Sequence, residues 1–169
     1  MLKNLYFGEP RQLTERPYQR ISLKLRPDGI SSIGTKFKGN SVITKFNEFA
    51  YFSRVTDTVS QAFTGCRSLT NITLPGGLLE IDAYLFNGCS SLLNLIIPST
   101  VTAIRFSAFS DCTSMQWIKC LPETPPDIAT QVLVRNNAYF YVPDDCLDSY
   151  KSAWSSYSSK LKAISEFPY

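Results

Sequence analysis

A 23-residue period runs through the middle of the chain and constrains its fold more than any other feature. Phe63, Phe86 and Phe109 share one column of that period, and Cys66, Cys89 and Cys112 share another. Ser68, Ser91 and Ser114 form a third, followed by Leu69, Leu92 and Met115. Ile72, Leu95 and Ile118 come next, then Leu74, Ile97 and Cys120. Pro75 aligns with Pro98, Leu78 with Val101, and Ile81 with Ile104. The third unit drifts after Cys120, where Pro122 comes one residue late. A fainter unit precedes them: Val55 lies one period before Leu78, and Ile43 and Phe46 imitate Leu69 and Ile72. The reading is about three and a half coils between residues 37 and 121.

A unit this short cannot cover its own apolar side chains. Residues 70–74 read as a strand whose inward neighbours Leu69, Ile72 and Leu74 are covered only when the next coil stacks at strand spacing, which requires at least three units. The proline after each strand ends the ladder because it has no N–H to donate. The second half of each unit, through Leu78 and Ile81 or Val101 and Ile104, reads as a turn and a short extended or one-turn helical piece. The expected fold is an α/β repeat that is mostly β, a short solenoid.

The segments "AFTGCRSLTNITLPGGLLEI", "LFNGCSSLLNLIIPSTVTAI" and "AFSDCTSMQWIKC" resemble the BspA-like leucine-rich repeat. The resemblance extends upstream through "GNSVITKFNEFAYF". Downstream, "LPETPPDI" and "FYVPDDCLDSYKSAWSSYSSKLKAI" are similar to the family's C-terminal cap, so it covers about residues 37–165. It departs at Leu78 and Leu79, at Met115 and Trp117, and throughout residues 1–36. The resemblance implies a leucine-rich-repeat solenoid used in adhesion and protein binding rather than catalysis. Such arrays occur in surface proteins of anaerobic bacteria and parasitic protists and in proteins of phages that infect such bacteria. A fold alone does not assign a function.

The flanks divide the chain into three: residues 1–36, a β-rich docking or capping segment; 37–121, the repeats; and 122–169, a C-terminal cap. In the first, Ile21, Leu23 and Leu25 alternate with Ser22, Lys24 and Arg26. Pro27, Asp28 and Gly29 make a turn, and Ile30, Ile33 and Phe37 a return strand, together a β-hairpin. The hairpin serves either as a cap on the open end of the array or as an element for docking and homo-oligomerisation. In the last, residues 139–142 form an apolar strand closed by Pro143, and Asp144 and Asp145 supply charge at a helix start. Leu147, Tyr150 and Trp154 lie on one face of a short helix, and Leu161 and Ile164 come together in a second short segment.

The chain has 169 residues and no histidine. Histidine-based nucleophile activation, histidine general bases and His-ligated metals are therefore excluded. No pair of carboxylates stands at a readable catalytic spacing, and Gly76 and Gly77 are not followed by a phosphate-loop lysine. The expectation is a non-enzyme without cofactor or metal. The five cysteines include a ladder at one-coil intervals, which suits buried thiols or a Cys66–Cys89 or Cys89–Cys112 disulfide better than a metal site. Residues 1–45 hold nine Lys/Arg against three Asp/Glu, a local charge of +6, which is a weak footprint for nucleic acid, and none is expected. No run of apolar residues is long enough to span a membrane. The first twelve residues have no apolar core of a signal peptide.

The binding candidate is the outward face of the strands, where alternate residues leave the core. One column gives Lys45, Asn71, Asn94 and Trp117, the next Asn47, Thr73, Ile96 and Lys119. Trp117 beside Ile96 makes an apolar spot, either a binding hot spot or a residue packed beneath the cap. Four strands at about 4.8 Å spacing, each exposing roughly 12 Å, give a face of about 200–250 Å². A standard interface uses about 800 Å² per partner, so one array needs its edges or several copies. The expected function is recognition or attachment on a phage virion fibre, tail or decoration protein, located in the virion. The alternative is a cell-surface or extracellular bacterial adhesin. Partners would be proteins of the host surface or neighbouring subunits, or a glycan.

Overall fold

The computed structural model describes residues 31–58 and 60–168. Most of the hairpin expected in residues 19–38 lies outside them. Over residues 31–38 the expected return strand is a series of turns instead, with Ile33 buried in the core and Phe37 half-buried against it.

Nine short strands form three sheets among the described residues. β1 (Lys45–Phe46) pairs with β2 (Asn71–Ile72). β3 (Glu80–Ile81), β5 (Ala103–Ile104) and β7 (Asp127–Ile128) form a second sheet. β4 (Asn94–Ile97), β6 (Trp117–Cys120), β8 (Tyr139–Val142) and β9 (Leu161–Ala163) form the third, in that order. Every pair is parallel, and each joins a strand to its counterpart in a neighbouring repeat. One α-helix, α1 (Leu147–Ala153), and a few 3-10 turns complete the described residues. Among the described residues no helix is long and apolar enough to cross a membrane.

The strict period holds only in the centre. Paired residues lie 23 apart in Glu80–Ala103 and Asn94–Trp117, but 26 in Lys45–Asn71, 24 in Ala103–Asp127, 22 in Trp117–Tyr139 and 21 in Phe140–Leu161. The strands also do not form one uninterrupted face. Between β2 and β4 a single bond, Leu93 N–H to the Thr70 carbonyl at 3.3 Å, replaces a ladder. The additional residues fall outside the strands, so the inward set is kept.

The core is a set of side-chain columns running along the array. The rings of Phe37, Phe63, Phe86 and Phe109 stack in sequence, with centroids 5.2, 5.5 and 6.0 Å apart. The cysteine column lies beside it. The Cys66 thiol donates to the Phe37 carbonyl at 2.9 Å, Cys89 to Phe63 at 3.1 Å and Cys112 to Phe86 at 3.0 Å. The same carbonyls also accept the N–H of the residue three positions on, which leaves the thiol to fill the second lone pair. Asparagine takes this position at both ends. Asn40 Oδ1 accepts from the amides of Val42 and Ile43, and Asn136 Nδ2 donates to the Phe109 carbonyl at 3.0 Å.

The residue before each member of this column has positive φ: Gly39, Gly65, Gly88, then Asp111 and Arg135. A Cβ on Gly65 or Gly88 would meet its nearest neighbour at 3.7 Å, an ordinary contact. Backbone conformation, not lack of space, therefore favours glycine there.

The C-terminal segment closes on the last repeats through aromatic side chains with polar tips. The Tyr150 hydroxyl donates to the Pro122 carbonyl at 2.7 Å, and Trp154 Nε1 to Pro126 at 2.7 Å. The Tyr157 hydroxyl accepts the Val132 amide at 2.9 Å. Tyr150 and Trp154 are buried, as their spacing on one helix face requires. Asp144 and Asp145 lie in the first turn of the 3-10 stretch Asp144–Cys146 that leads into α1, the charge expected at a helix start. Asp144 Oδ1 also accepts the Ser165 amide and hydroxyl at 3.1 and 2.6 Å. In the second short segment a 3-10 stretch over Ser155–Lys160 gives way to β9, which turns Leu161 inward as a further repeat strand.

Two substitutions test this construction by urea unfolding. Phe86→Ala removes the centre of the ring stack and is expected to lower stability by about 3–5 kcal/mol. Asn136→Ala leaves the Ala138 amide without its acceptor and the Phe109 carbonyl without its side-chain donor, at a cost of about 1–3 kcal/mol. Asn136→Cys restores the donor and is expected to recover part of that loss.

Candidate binding face

The eight residues expected on the outward face all lie there, half-buried or exposed. They fall into two groups. Lys45 is opposite Asn71 on the two-stranded sheet, and just beyond its strands the Thr73 hydroxyl donates to Asn47 Oδ1 at 3.3 Å, with Asn47 at the start of a 3-10 stretch rather than on a strand. Asn94 is opposite Trp117 and Ile96 opposite Lys119 on the four-stranded sheet. The missing ladder between β2 and β4 separates the groups.

The second group does not end at Lys119. β8 sets Tyr139 opposite Trp117 and Tyr141 opposite Lys119, and β9 sets Lys162 opposite Tyr141. Two rows result, Asn94–Trp117–Tyr139 and Ile96–Lys119–Tyr141–Lys162. Tyr139, Tyr141 and Lys162 were missed because residues 139–163 read as a cap. A signal was present: the run of Tyr139, Phe140, Tyr141, Val142 and Pro143 repeats the in-out alternation of Trp117, Ile118, Lys119 and Cys120.

Phe167 lies on top of these rows. Its ring meets Trp117 edge-on at 4.8 Å and 87° and Tyr141 at 4.9 Å and 83°. The Lys119 ammonium sits 4.1 Å from the Phe167 centroid. Trp117 is thus partly covered by the C-terminal segment, as one of its two readings from sequence has it, and is still half-exposed. Tyr139 is 38% exposed and carries the Lys162 and Lys160 ammoniums 4.4 and 5.3 Å from its centroid. Cation–π geometry of this kind contributes about 0.5–1 kcal/mol at exposed sites. The four strands bear no Asp or Glu. Among the described residues neither Lys119, Lys160 nor Lys162 has a carboxylate partner.

The second sheet is electrostatically different. Arg105 pairs with Glu80 through two bonds, at 2.7 and 3.0 Å, and reaches Asp127 at 3.4 Å. The guanidinium holds the Glu80 carboxyl below the usual range. Burial pushes Asp82 up, although the Thr58 hydroxyl donates to it at 2.9 Å. These carboxylates, unlike the lysines, already have partners. A separate open groove of about 520 Å³ is lined by Val101, Leu121 and residues 122–126, with Glu123 its one titratable side chain.

The cysteines take no part in either face. Cys66, Cys89, Cys112 and Cys120 are buried thiols, and Cys146 is half-buried. The neighbouring Cys66 sulfur and burial raise Cys89, and burial pushes Cys112 and Cys120 up to about 12.

Parallel strands joined one repeat apart around columns of Leu, Ile, Phe and Cys define a leucine-rich-repeat protein. The model of the BspA type leucine rich repeat region matches residues 26–163 in six copies, and the chain belongs to that family. The match exceeds the three and a half units counted from sequence and runs across the boundaries drawn at 36 and 121. No curated protein matches the chain.

Reactivity of the thiols checks their placement. With Ellman's reagent at about pH 8, Cys146 is expected to react first, while the four buried thiols react only as fast as the chain opens. Rapid reaction of more than one thiol in the folded protein would contradict the buried column.

Proposed function

We propose that the chain is a non-catalytic recognition module whose ligand-facing surface is the outward side of the four-stranded sheet. The observation that carries this is the pair of rows from Asn94 to Lys162, which set the rings of Trp117, Tyr139 and Tyr141 beside Lys119 and Lys162, lysines without a carboxylate partner among the described residues. Tryptophan and tyrosine dominate protein-binding hot spots, and unpaired charge at their rim steers encounter. The family's repeats support a protein-binding or adhesion role. The absence of histidine from the sequence supports a non-enzyme.

In this reading the repeats act as a short solenoid of about 23 residues per coil, capped by the C-terminal helix and β9. The face is small against the roughly 800 Å² per partner of a standard interface. A multivalent carrier is therefore proposed: a phage fibre, tail or decoration protein binding the host surface or neighbouring subunits, with a bacterial surface adhesin as the second reading. Residues 1–36 are its proposed site of homo-oligomerisation, and protein is the preferred partner over glycan or nucleic acid.

Fluorescently labelled protein titrated onto intact bacterial cells tests the face. Trp117→Ala combined with Tyr139→Ala is expected to weaken saturable binding by about tenfold or more. Arg105→Ala, on the other sheet, is expected to leave it unchanged. Equal loss in both would remove the sheet from the reading. Sedimentation of the full chain and of a chain starting at Ser31 tests the carrier. A trimer or larger assembly that falls to monomer on truncation supports the fibre, and monomers in both support a single recognition module.

A further inference from the structure

We infer that Trp117, Lys119 and Tyr141 form a seat for an aromatic side chain of an acidic peptide segment, and that Phe167 is the seat's built-in competitor. This rests on the recognition face proposed above and names what that face takes.

The seat is defined by what fills it. Phe167 stands edge-on to two rings at once, 4.8 Å from Trp117 and 4.9 Å from Tyr141, with the Lys119 ammonium 4.1 Å from its centroid. Two edge-to-face rings and one ammonium over the ring face each favour an aromatic group beyond its area burial, so together they select a ring over an aliphatic side chain. Tyr141 is 5% exposed although it points out of the sheet, because the C-terminal segment covers it.

The segment that delivers Phe167 is short. It is a three-residue 3-10 turn, Ile164–Glu166, whose bonds include the Phe167 amide to the Ile164 carbonyl, the Ala163 amide to Glu166 Oε1 at 3.1 Å, and the Ser165 amide and hydroxyl to the exposed carboxylate of Asp144. Bonds in a single surface turn open at lower free energy than those of the core. The residue before the ring is Glu166, so the chain's own occupant is an acidic-aromatic sequence. Around the seat the sheet offers Lys119 and Lys162 and no acid on any of its four strands. Charge and ring geometry together fit a peptide with a carboxylate next to Phe or Tyr.

The probe is a fluorescein-labelled peptide with the sequence of residues 164–169, and a copy with Ala in place of its Phe. If the seat is closed nine-tenths of the time, apparent affinity in the unmodified chain is lowered about tenfold. Phe167→Ala is therefore expected to bind the Phe peptide about tenfold more tightly than the unmodified chain does, to ignore the Ala peptide, and to lose binding when Trp117→Ala is added. Equal affinity of Phe167→Ala for both peptides, or binding of neither while its circular dichroism is unchanged, overturns the inference. So does a gain in affinity for a heparin oligosaccharide without one for the peptide.

A second measurement needs no variant. In the unmodified chain, NMR signals of Trp117 are expected to shift on adding peptide while those of buried Trp154 do not, and an unmoved Trp117 overturns the inference as well. Loss of cell binding in the Trp117/Tyr139 double variant, with no peptide binding to Phe167→Ala, retains the face and discards the seat. Peptide binding without any cell binding does the reverse.

Discussion

The central repeats of this protein, among the described residues, depend on their neighbours for the second half of their hydrogen bonding. The phenylalanine carbonyl of one unit accepts an amide from its own turn and a thiol from the next unit. The strand pairs with the equivalent strand one repeat away, and the ring stacks on the equivalent ring. No unit is satisfied alone, which is the physical content of a stacked repeat. The ends of the array then become special. At the C-terminal end, Tyr150, Trp154 and Tyr157 supply donors and acceptors to backbone groups of the last units.

The interior was legible from sequence because burial imposes identity on columns. The Phe, Cys, Leu and Ile columns between residues 63 and 120 all face inward, as their periodicity requires. Legibility failed where a column kept its role but changed its residue. Asn136 does the work of a cysteine by donating to Phe109, yet nothing about asparagine advertises membership in a thiol column. Leu133 stands where the phenylalanines stood, with the Asn136 amide bonded to its carbonyl as each cysteine amide is to its phenylalanine. With both signatures altered, the strand at Tyr139 read as a cap. The outward face is harder still, since solvent tolerates many residues there. Of the eight residues expected on it, Lys45 and Asn71 belong to a separate two-stranded sheet, and Asn47 and Thr73 lie just past its strands.

The two larger sheets share architecture but not electrostatics. On the β3–β5–β7 side, Glu80, Arg105 and Asp127 satisfy one another across strands. On the β4–β6–β8–β9 side, lysines rest on aromatic rings. A surface whose charges are already matched attracts little, whereas one with cations over rings keeps its field available to a partner.

The varying offset between paired strands bears on how such a chain changes over generations. Spacings of 21 to 26 residues are accommodated because the extra or missing residues fall in turns, leaving each strand's alternation intact. A single residue inserted within a strand such as Trp117–Cys120 would instead exchange its inward and outward side chains. Turns are thus free to lengthen, strands are not, and the smallest piece that duplication or recombination can add without disturbing either face is one whole repeat.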